Sequence, residues 1–339
     1  MGISSNSYNR PVFHGGDIDA ARCAYGGNAS DWLDLSTGIN PNAYSVPEIS
    51  TQFWTSLPGT EQEEKLLSSA RSYFGLPESY SITAAPGTQS ILQILPLIAG
   101  GPQKVAIQSP TYAEHSNCWK LGGHEVYGSA KAPAEPADIA VLVNPNNPTG
   151  TLFNSDEINL WRTNWLKPDG LLIIDEAFMD VTPDKSAAAS NDPENTLILK
   201  SFGKFFGLAG VRLGFVCGDP TWVSKIRSSL GPWAVSGVAA EVGSVAYADT
   251  HWHCSTRTQI ANMSEKVAVL LSQSGGKVMG NAGLFLLAEF DEANAIFEHL
   301  CQNHILTRPF EYNSKWLRFG LPKDEEALNR LSKALKSLS

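Results

Sequence analysis

The sequence predicts an α/β protein, a three-layer α/β/α domain followed by a smaller α+β C-terminal domain. Two observations carry the first domain. Five short apolar runs lack polar alternation, the mark of strands buried on both faces of a parallel sheet, and helix-forming stretches lie between them. A third observation carries the second domain: beyond Trp233 the pattern changes to helix, strand, helix, strand, helix. The length of 339 residues suits such a plan at roughly 150 residues per domain.

In chain order, residues 1–54 are rich in Gly, Asn and Pro and are expected to form an extended N-terminal arm that reaches the substrate site and the small domain. A large domain is expected over 55–235. Its first helix is Thr88–Leu97, which Pro96 should end or kink. Its strands are Lys104–Ser109, Asp138–Asn144, Gly170–Glu176, Thr196–Ser201 and Val211–Cys217, all read as parallel. The helix Ser155–Leu166 opens with Ser155 as a candidate cap. The small domain, 236–339, begins with helices Val238–Ala248 and a longer one to about Ser274, capped by Thr250. A strand Gly283–Phe290, a helix Glu292–Asn303, a strand Trp316–Leu321 and a helix after Pro322 complete it. No internal repeat occurs, and the only low-complexity stretch is Lys185–Asn191.

Charge and cysteine usage exclude several functions. The chain carries 25 basic against 34 acidic side chains, a net −9, which is wrong for a nucleic-acid backbone partner. Charged residues make up only 17% and hydrophobic residues 42%, which argues against disorder. Any anionic ligand must therefore meet a few placed cations. Cys23, Cys118, Cys217, Cys254 and Cys301 lie far apart with no CxxC pair, so no local zinc or redox motif exists. His251 and His253 would point to opposite faces of a helix, so no metal is expected there. No run of 18 apolar residues and no apolar leader occur, and Asn6 misses the Ser/Thr of a myristoylation motif. A cytoplasmic, reduced protein is expected.

Four segments carry chemistry, each at a strand end or a helix start, where open α/β sheets bind ligands. Ala84–Gln89 (AAPGTQ) precedes a helix whose free N–H groups form an anion site, with Gly87 allowing close approach. Asn144–Gly150 (NPNNPTG) is a rigid turn after a strand, and Asn147 could aim an amide donor at a phenolic oxygen. Asp175, in Ile173–Phe178 (IIDEAF), ends a buried strand and needs a cation or a protonated base beside it. Lys204 lies in Ser201–Gly214 (SFGKFFGLAGVRLG), apolar enough to lower its pKa and to suit it to a Schiff base, with Arg212 as a fixed cation.

Together these segments resemble the fold-type I pyridoxal-phosphate enzymes, the class I/II aminotransferase superfamily, over nearly the whole chain. The resemblance implies the three-layer transferase fold and pyridoxal 5'-phosphate as cofactor. It implies that Lys204 bonds the cofactor aldehyde and that Asp175 keeps the pyridine nitrogen protonated. Asn147 would meet the ring hydroxyl, and Gly87, Thr88, Ser201 and Arg212 the phosphate. Tyr112, in Pro110–His115 (PTYAEH), would stack on the ring.

Within that superfamily His14–Asp17 (HGGD), Asp34–Pro41 (DLSTGINP), the PTYAEH segment, the DEAF motif and Gly231–Ser236 (GPWAVS) resemble the threonine-phosphate decarboxylases of cobalamin biosynthesis, kin of the histidinol-phosphate aminotransferases. The implied substrate residues are His14, Gly15, Asn147, Arg308 and Arg318. Two arginines are also what a substrate bearing a carboxylate and a phosphate requires. Three positions depart from the wider pattern. Phe178 replaces a Tyr that donates to the cofactor ring oxygen, Leu57 replaces a Tyr that reaches a neighbouring subunit's cofactor, and Gly38 replaces an Asn that some decarboxylases aim at substrate. A homodimer acting on a small phosphorylated amino acid is implied, with no nucleic-acid or membrane partner. An aminotransferase of histidinol phosphate or an aromatic amino acid is the first alternative. A non-catalytic cofactor-binding regulator is the second, against which stands the lack of residues for a fused DNA-binding domain.

Overall fold

The computed structural model describes residues 15–131, 133–189 and 192–337. The arm is not extended throughout. Its described part includes helix α1 (Ile18–Tyr25), capped by Asp17, whose carboxylate accepts from the Ala20 N–H. Strand β1 (Leu33–Asp34) and the helices α2 (Gln52–Thr55) and α3 (Thr60–Phe74) follow.

The large sheet is built from β2 (Ser81–Ala85), β3 (Lys104–Gln108), β4 (Glu125–Ser129), β5 (Ala137–Val143), β6 (Leu166–Asp175), β7 (Thr196–Ser201) and β8 (Gly214–Gly218). Interleaved are α4 (Thr88–Ile98), α5 (Ala113–Leu121), α6 (Ser155–Trp165) and the short α7 (Phe202–Phe205). The strand order is β2-β8-β7-β6-β5-β3-β4. Strands β3 to β7 run parallel, and their apolar side chains fill the core on both faces.

Four sequence expectations need correction, and two strands had none. The segment Val211–Cys217 does not give a parallel strand: β8 starts at Gly214 and pairs antiparallel with both β7 and β2. The connection from β7 to β8 holds only the four-residue α7 and the turn Ala209–Val211, with no helix long enough to carry the chain back along the sheet for a parallel return. Pro96 does not end α4. Lying in the last turn, it removes one hydrogen bond, and its carbonyl contacts His124 Nε2 at 2.9 Å. The cap of α6 is Asn154, not Ser155: its side chain accepts from the Glu157 N–H while Glu157 accepts from the Asn154 N–H. The cap of the long helix is likewise Asp249, one residue before Thr250. Strands β2 and β4 went unread because both are edge strands of small or polar residues without a continuous apolar run.

The C-terminal part follows α8 (Pro220–Leu230) with α9 (Gly237–Ala248), α10 (Thr250–Gln273), β9 (Lys277–Asn281), β10 (Phe285–Glu289), α11 (Ala293–Gln302), β11 (Ile305–Leu306), β12 (Arg308–Phe310), β13 (Asn313–Gly320) and α12 (Glu325–Lys336). An antiparallel sheet of order β12-β13-β10-β9 pairs Arg318 with Leu287 across β13 and β10, and with Arg308 across β13 and β12. Strand β1 of the arm pairs parallel with β11, and the Gly320 N–H donates to Leu35 O at 2.7 Å. The arm is thus tied to the C-terminal part, and a few residues further on it meets the part built on the large sheet, where the Asn40 N–H donates to Lys204 O at 2.9 Å. Among the described residues no helix is long and apolar enough to cross a membrane, and no cluster of three metal-ligating side chains occurs.

Candidate active site

A cavity of about 250 Å³ opens at the C-terminal ends of the parallel strands, between the two sheets and the arm. Every sequence-predicted site residue that is described lines it: Gly15, Gly87, Thr88, Tyr112, Asn147 and Asp175, with Ser201, Lys204, Arg212, Arg308 and Arg318. His14 lies outside the described residues.

On the floor, β6 ends at Asp175, a buried carboxylate. Its Oδ2 lies 2.9 Å from His115 Nε2, and its Oδ1 accepts from the Ala177 N–H at 3.0 Å. His115 is itself buried on α5 and edge-on to the Tyr112 ring. Lys204 sits in α7, whose phenylalanines Phe202 and Phe205 turn into the core. Burial pulls the Lys204 amine down to about 8; the Arg318, Arg212 and Arg308 charges add to this and Asp175 opposes it. The neutral amine is thus accessible near physiological pH.

At one end the start of α4 meets Arg212. Gly87 has φ +80°, and a Cβ there would lie 2.7 Å from Arg212 Nη2, so only glycine leaves the guanidinium its place. Arg212 also has a left-handed backbone (φ 55°), imposed by the turn Ala209–Val211. The first turn of α4, the Ser201 hydroxyl and this guanidinium face one space, an arrangement of N–H donors and positive charge that suits a phosphate.

At the other end stand two arginines of the small sheet. Arg318 is only 2% exposed. Its Nη1 donates to Asn147 Oδ1 and its Nη2 to Ser36 O, both at 2.6 Å, while its plane lies 4.9 Å from the Phe285 ring centre. With Oδ1 engaged by a guanidinium, Asn147 keeps its Nδ2 donors for a ligand. Arg308 lies over Phe310, with a buried Nε that finds no partner. Burial lowers the pKa of both arginines. Among the described residues none of Lys204, Arg212, Arg308 and Arg318 forms an ion pair with a carboxylate.

The family model "Aminotransferase class I and II" matches residues 45–335. The chain belongs to that family. It is 39% identical to a threonine-phosphate decarboxylase of Pseudomonas aeruginosa, over 95% of this chain and 96% of that protein. A threonine-phosphate decarboxylase of a Sinorhizobium species is also 39% identical, over 96% and 98%. A histidinol-phosphate aminotransferase of Clostridium acetobutylicum shares the fold, with a TM-score of 0.79 at 22% identity over 90% of this chain and 98% of that one.

Two of the departures, Phe178 and Gly38, lie against each other. A Cβ on Gly38 would lie 2.8 Å from Phe178 Cε1 and 2.8 Å from Phe285 Cδ1, and the two rings meet edge to face at 4.9 Å. The Phe178 and Phe285 rings fill the space that a side chain at residue 38 would take. Leu57, the third departure, is 67% exposed and lies outside the cavity lining. Sequence reasoning missed His115 and Gln89 as site residues. His115 follows Tyr112 by one helical turn, a spacing that signals a shared face. Gln89 lines the cavity and accepts from the Tyr112 hydroxyl at 3.3 Å.

Proposed function

We propose that this protein is a pyridoxal-phosphate-dependent decarboxylase that converts L-threonine O-3-phosphate to (R)-1-amino-2-propanol O-2-phosphate in cobalamin biosynthesis. The observation that carries the reading is a cavity with four unpaired cations and one carboxylate, which fits a phosphorylated cofactor and a substrate with two anionic groups. The 39% identity to two threonine-phosphate decarboxylases over nearly the whole chain supports this substrate over an aminotransferase's.

The residues fit the cofactor. Gly87, Thr88, Ser201 and Arg212 would take its phosphate, Asp175 its pyridine nitrogen, Asn147 its ring hydroxyl, Tyr112 its ring face, and Lys204 its aldehyde. Bound there, pyridoxal 5'-phosphate supplies an electron sink for a bond broken at the substrate α-carbon. The carboxylate of Asp175, steadied by His115, holds a proton on the ring nitrogen. Arg318, already fixed by Asn147 and Ser36, takes the substrate carboxylate, because a guanidinium with a set plane orients a planar group. Arg308, less buried and not anchored at its Nη atoms as Arg318 is, takes the phosphate together with Gly15 and His14. Lys204 Nζ returns a proton to the α-carbon after carbon dioxide leaves.

Residues 1–54 act as an arm, 55–235 as the cofactor domain and 236–339 as a small domain over the site. The protein works as a cytoplasmic homodimer with its sites near the subunit interface. The test is carbon dioxide release from threonine phosphate, with and without 2-oxoglutarate. Release without the keto acid is expected; transamination without release would replace this reading with the aminotransferase one.

A further inference from the structure

Directly behind the cavity floor lies a buried ion pair that the chemistry above does not use. Lys200 is 3% and Glu176 1% exposed, and Nζ meets Oε2 at 2.5 Å. The Ser186 hydroxyl joins both, donating to Glu176 Oε2 at 2.6 Å and accepting from Lys200 Nζ at 2.9 Å, while the Ala187 N–H donates to Oε1 at 2.7 Å. Each partner is the immediate chain neighbour of a cavity residue: Glu176 follows Asp175, and Lys200 precedes Ser201. Successive strand residues face opposite sides, so Asp175 and Ser201 line the cavity while Glu176 and Lys200 do not.

The pair also stands where the backbone ladder runs out. Asp175 lies opposite Leu199, and the Glu176 N–H to Leu199 O bond of 2.9 Å closes the pairing of β6 with β7. Beyond it, Lys200 and Ser201 pair with β8 alone, opposite Phe215 and Gly214, before α7 and Lys204 follow. Nothing in the ladder holds the two strand ends together past this point, and the side-chain pair does.

We infer that Lys200 and Glu176 are a positioning pair that sets the distance between Asp175 and the Ser201–Lys204 segment from the far side of the sheet. The inference rests on the pyridoxal-phosphate reading, since it concerns how two groups are presented to one cofactor. A pair that served only to balance charge in the core would be replaceable by a neutral pair without effect on the cofactor. A positioning pair would not.

The test uses the full chain reconstituted with pyridoxal 5'-phosphate and follows three quantities: the thermal midpoint, cofactor retention on dilution, and the pH at which the cofactor's visible absorption titrates. The variant Lys200→Met/Glu176→Gln removes both charges and keeps an acceptor for the Ala187 N–H. It is expected to fold and to release the cofactor about tenfold more readily than wild type, with a displaced absorption titration. Glu176→Gln alone, which keeps an acceptor for the Ala187 N–H but turns an amide NH2 toward the Lys200 ammonium, is expected to move the titration in the same direction. Lys200→Arg, which keeps the pair, should retain the wild-type titration. Wild-type retention and titration in both the double variant and Glu176→Gln would overturn the inference. A wild-type protein that shows no visible absorption with the cofactor would instead overturn the cofactor reading on which it rests.

Discussion

Replacing Gly38 with Ala tests whether the Phe178 ring and the bare position opposite it form one device. The added Cβ would sit 2.8 Å from a carbon of each of two rings, against an optimum of about 3.5–4.0 Å, so each contact is short by roughly 0.7 Å or more. Neither ring can yield freely. Both are buried, they meet each other edge to face at 4.9 Å, and Phe285 carries the Arg318 guanidinium on its face. Overpacking of this kind costs about 1–3 kcal/mol. The strain has two outlets: Phe178 moves toward Lys204, or Phe285 moves Arg318 off Asn147 and Ser36. A displacement of about 1 Å at such a group lowers turnover roughly a hundredfold. Gly38→Ala should therefore lower both the urea midpoint and kcat/KM for threonine phosphate, and Gly38→Ala/Phe178→Leu should recover the midpoint by freeing the space. Wild-type stability in the single variant, or no recovery in the double, would refute the argument.

Two further outcomes follow from titrating groups. The Lys204 amine titrates at about 8 instead of the ordinary lysine value, and only its neutral form attacks an aldehyde, so cofactor uptake by the apoprotein should speed up with pH and level off above about 8. Stopped-flow absorbance checks this, and a rate still climbing tenfold per pH unit at pH 9 would contradict it. Asp180, buried near Lys200, Arg257 and Glu176, is pushed up to about 6, first by burial and against the pull of the two cations. A carboxyl whose folded pKa lies above its unfolded value of about 4 stabilises below that value, and the contribution is lost as pH rises through 6. Wild type should thus lose stability between about pH 4 and 6 by a step that Asp180→Asn lacks, read as the difference between their urea midpoints.

How much of this was legible in the sequence depends on what each residue answers to. Asp175, Lys204, Arg212 and Gly87 were readable because their neighbours contradict them: a charge among apolar residues or a glycine before a helix signals its own purpose. The parallel core strands were readable for the related reason that strands buried on both faces carry no alternation. The direction of β8 was not, because Val211–Cys217 is as apolar as its neighbours and apolarity carries no strand sense; what decides it is that the connection from β7 holds no helix long enough to return the chain. Nor was the Asp175–His115 contact, which joins β6 to α5 across 60 positions. Gly38 and Phe178 each read as a separate departure; their contact exists only once the arm lies beside the DEAF loop.

The acidic balance of the chain and the cationic cavity are compatible because of where carboxylates are withheld. Had each arginine of the cavity met an acidic partner, its charge would serve the core and leave little for a ligand. Arg318 is held instead by neutral oxygens, the amide of Asn147 and the carbonyl of Ser36, which fix its plane and leave its charge uncompensated. Arg212 takes only the Ala209 carbonyl at 3.3 Å, and Arg308 an aromatic face. Asp175, the acidic exception, meets His115. The positive charges then oppose one another, as the lowered Lys204 amine records, and an arriving anion relieves that opposition. Under the proposed function, neutral anchoring of the cations is what keeps their charge available to a small anion, which the net charge of −9 neither reveals nor forbids.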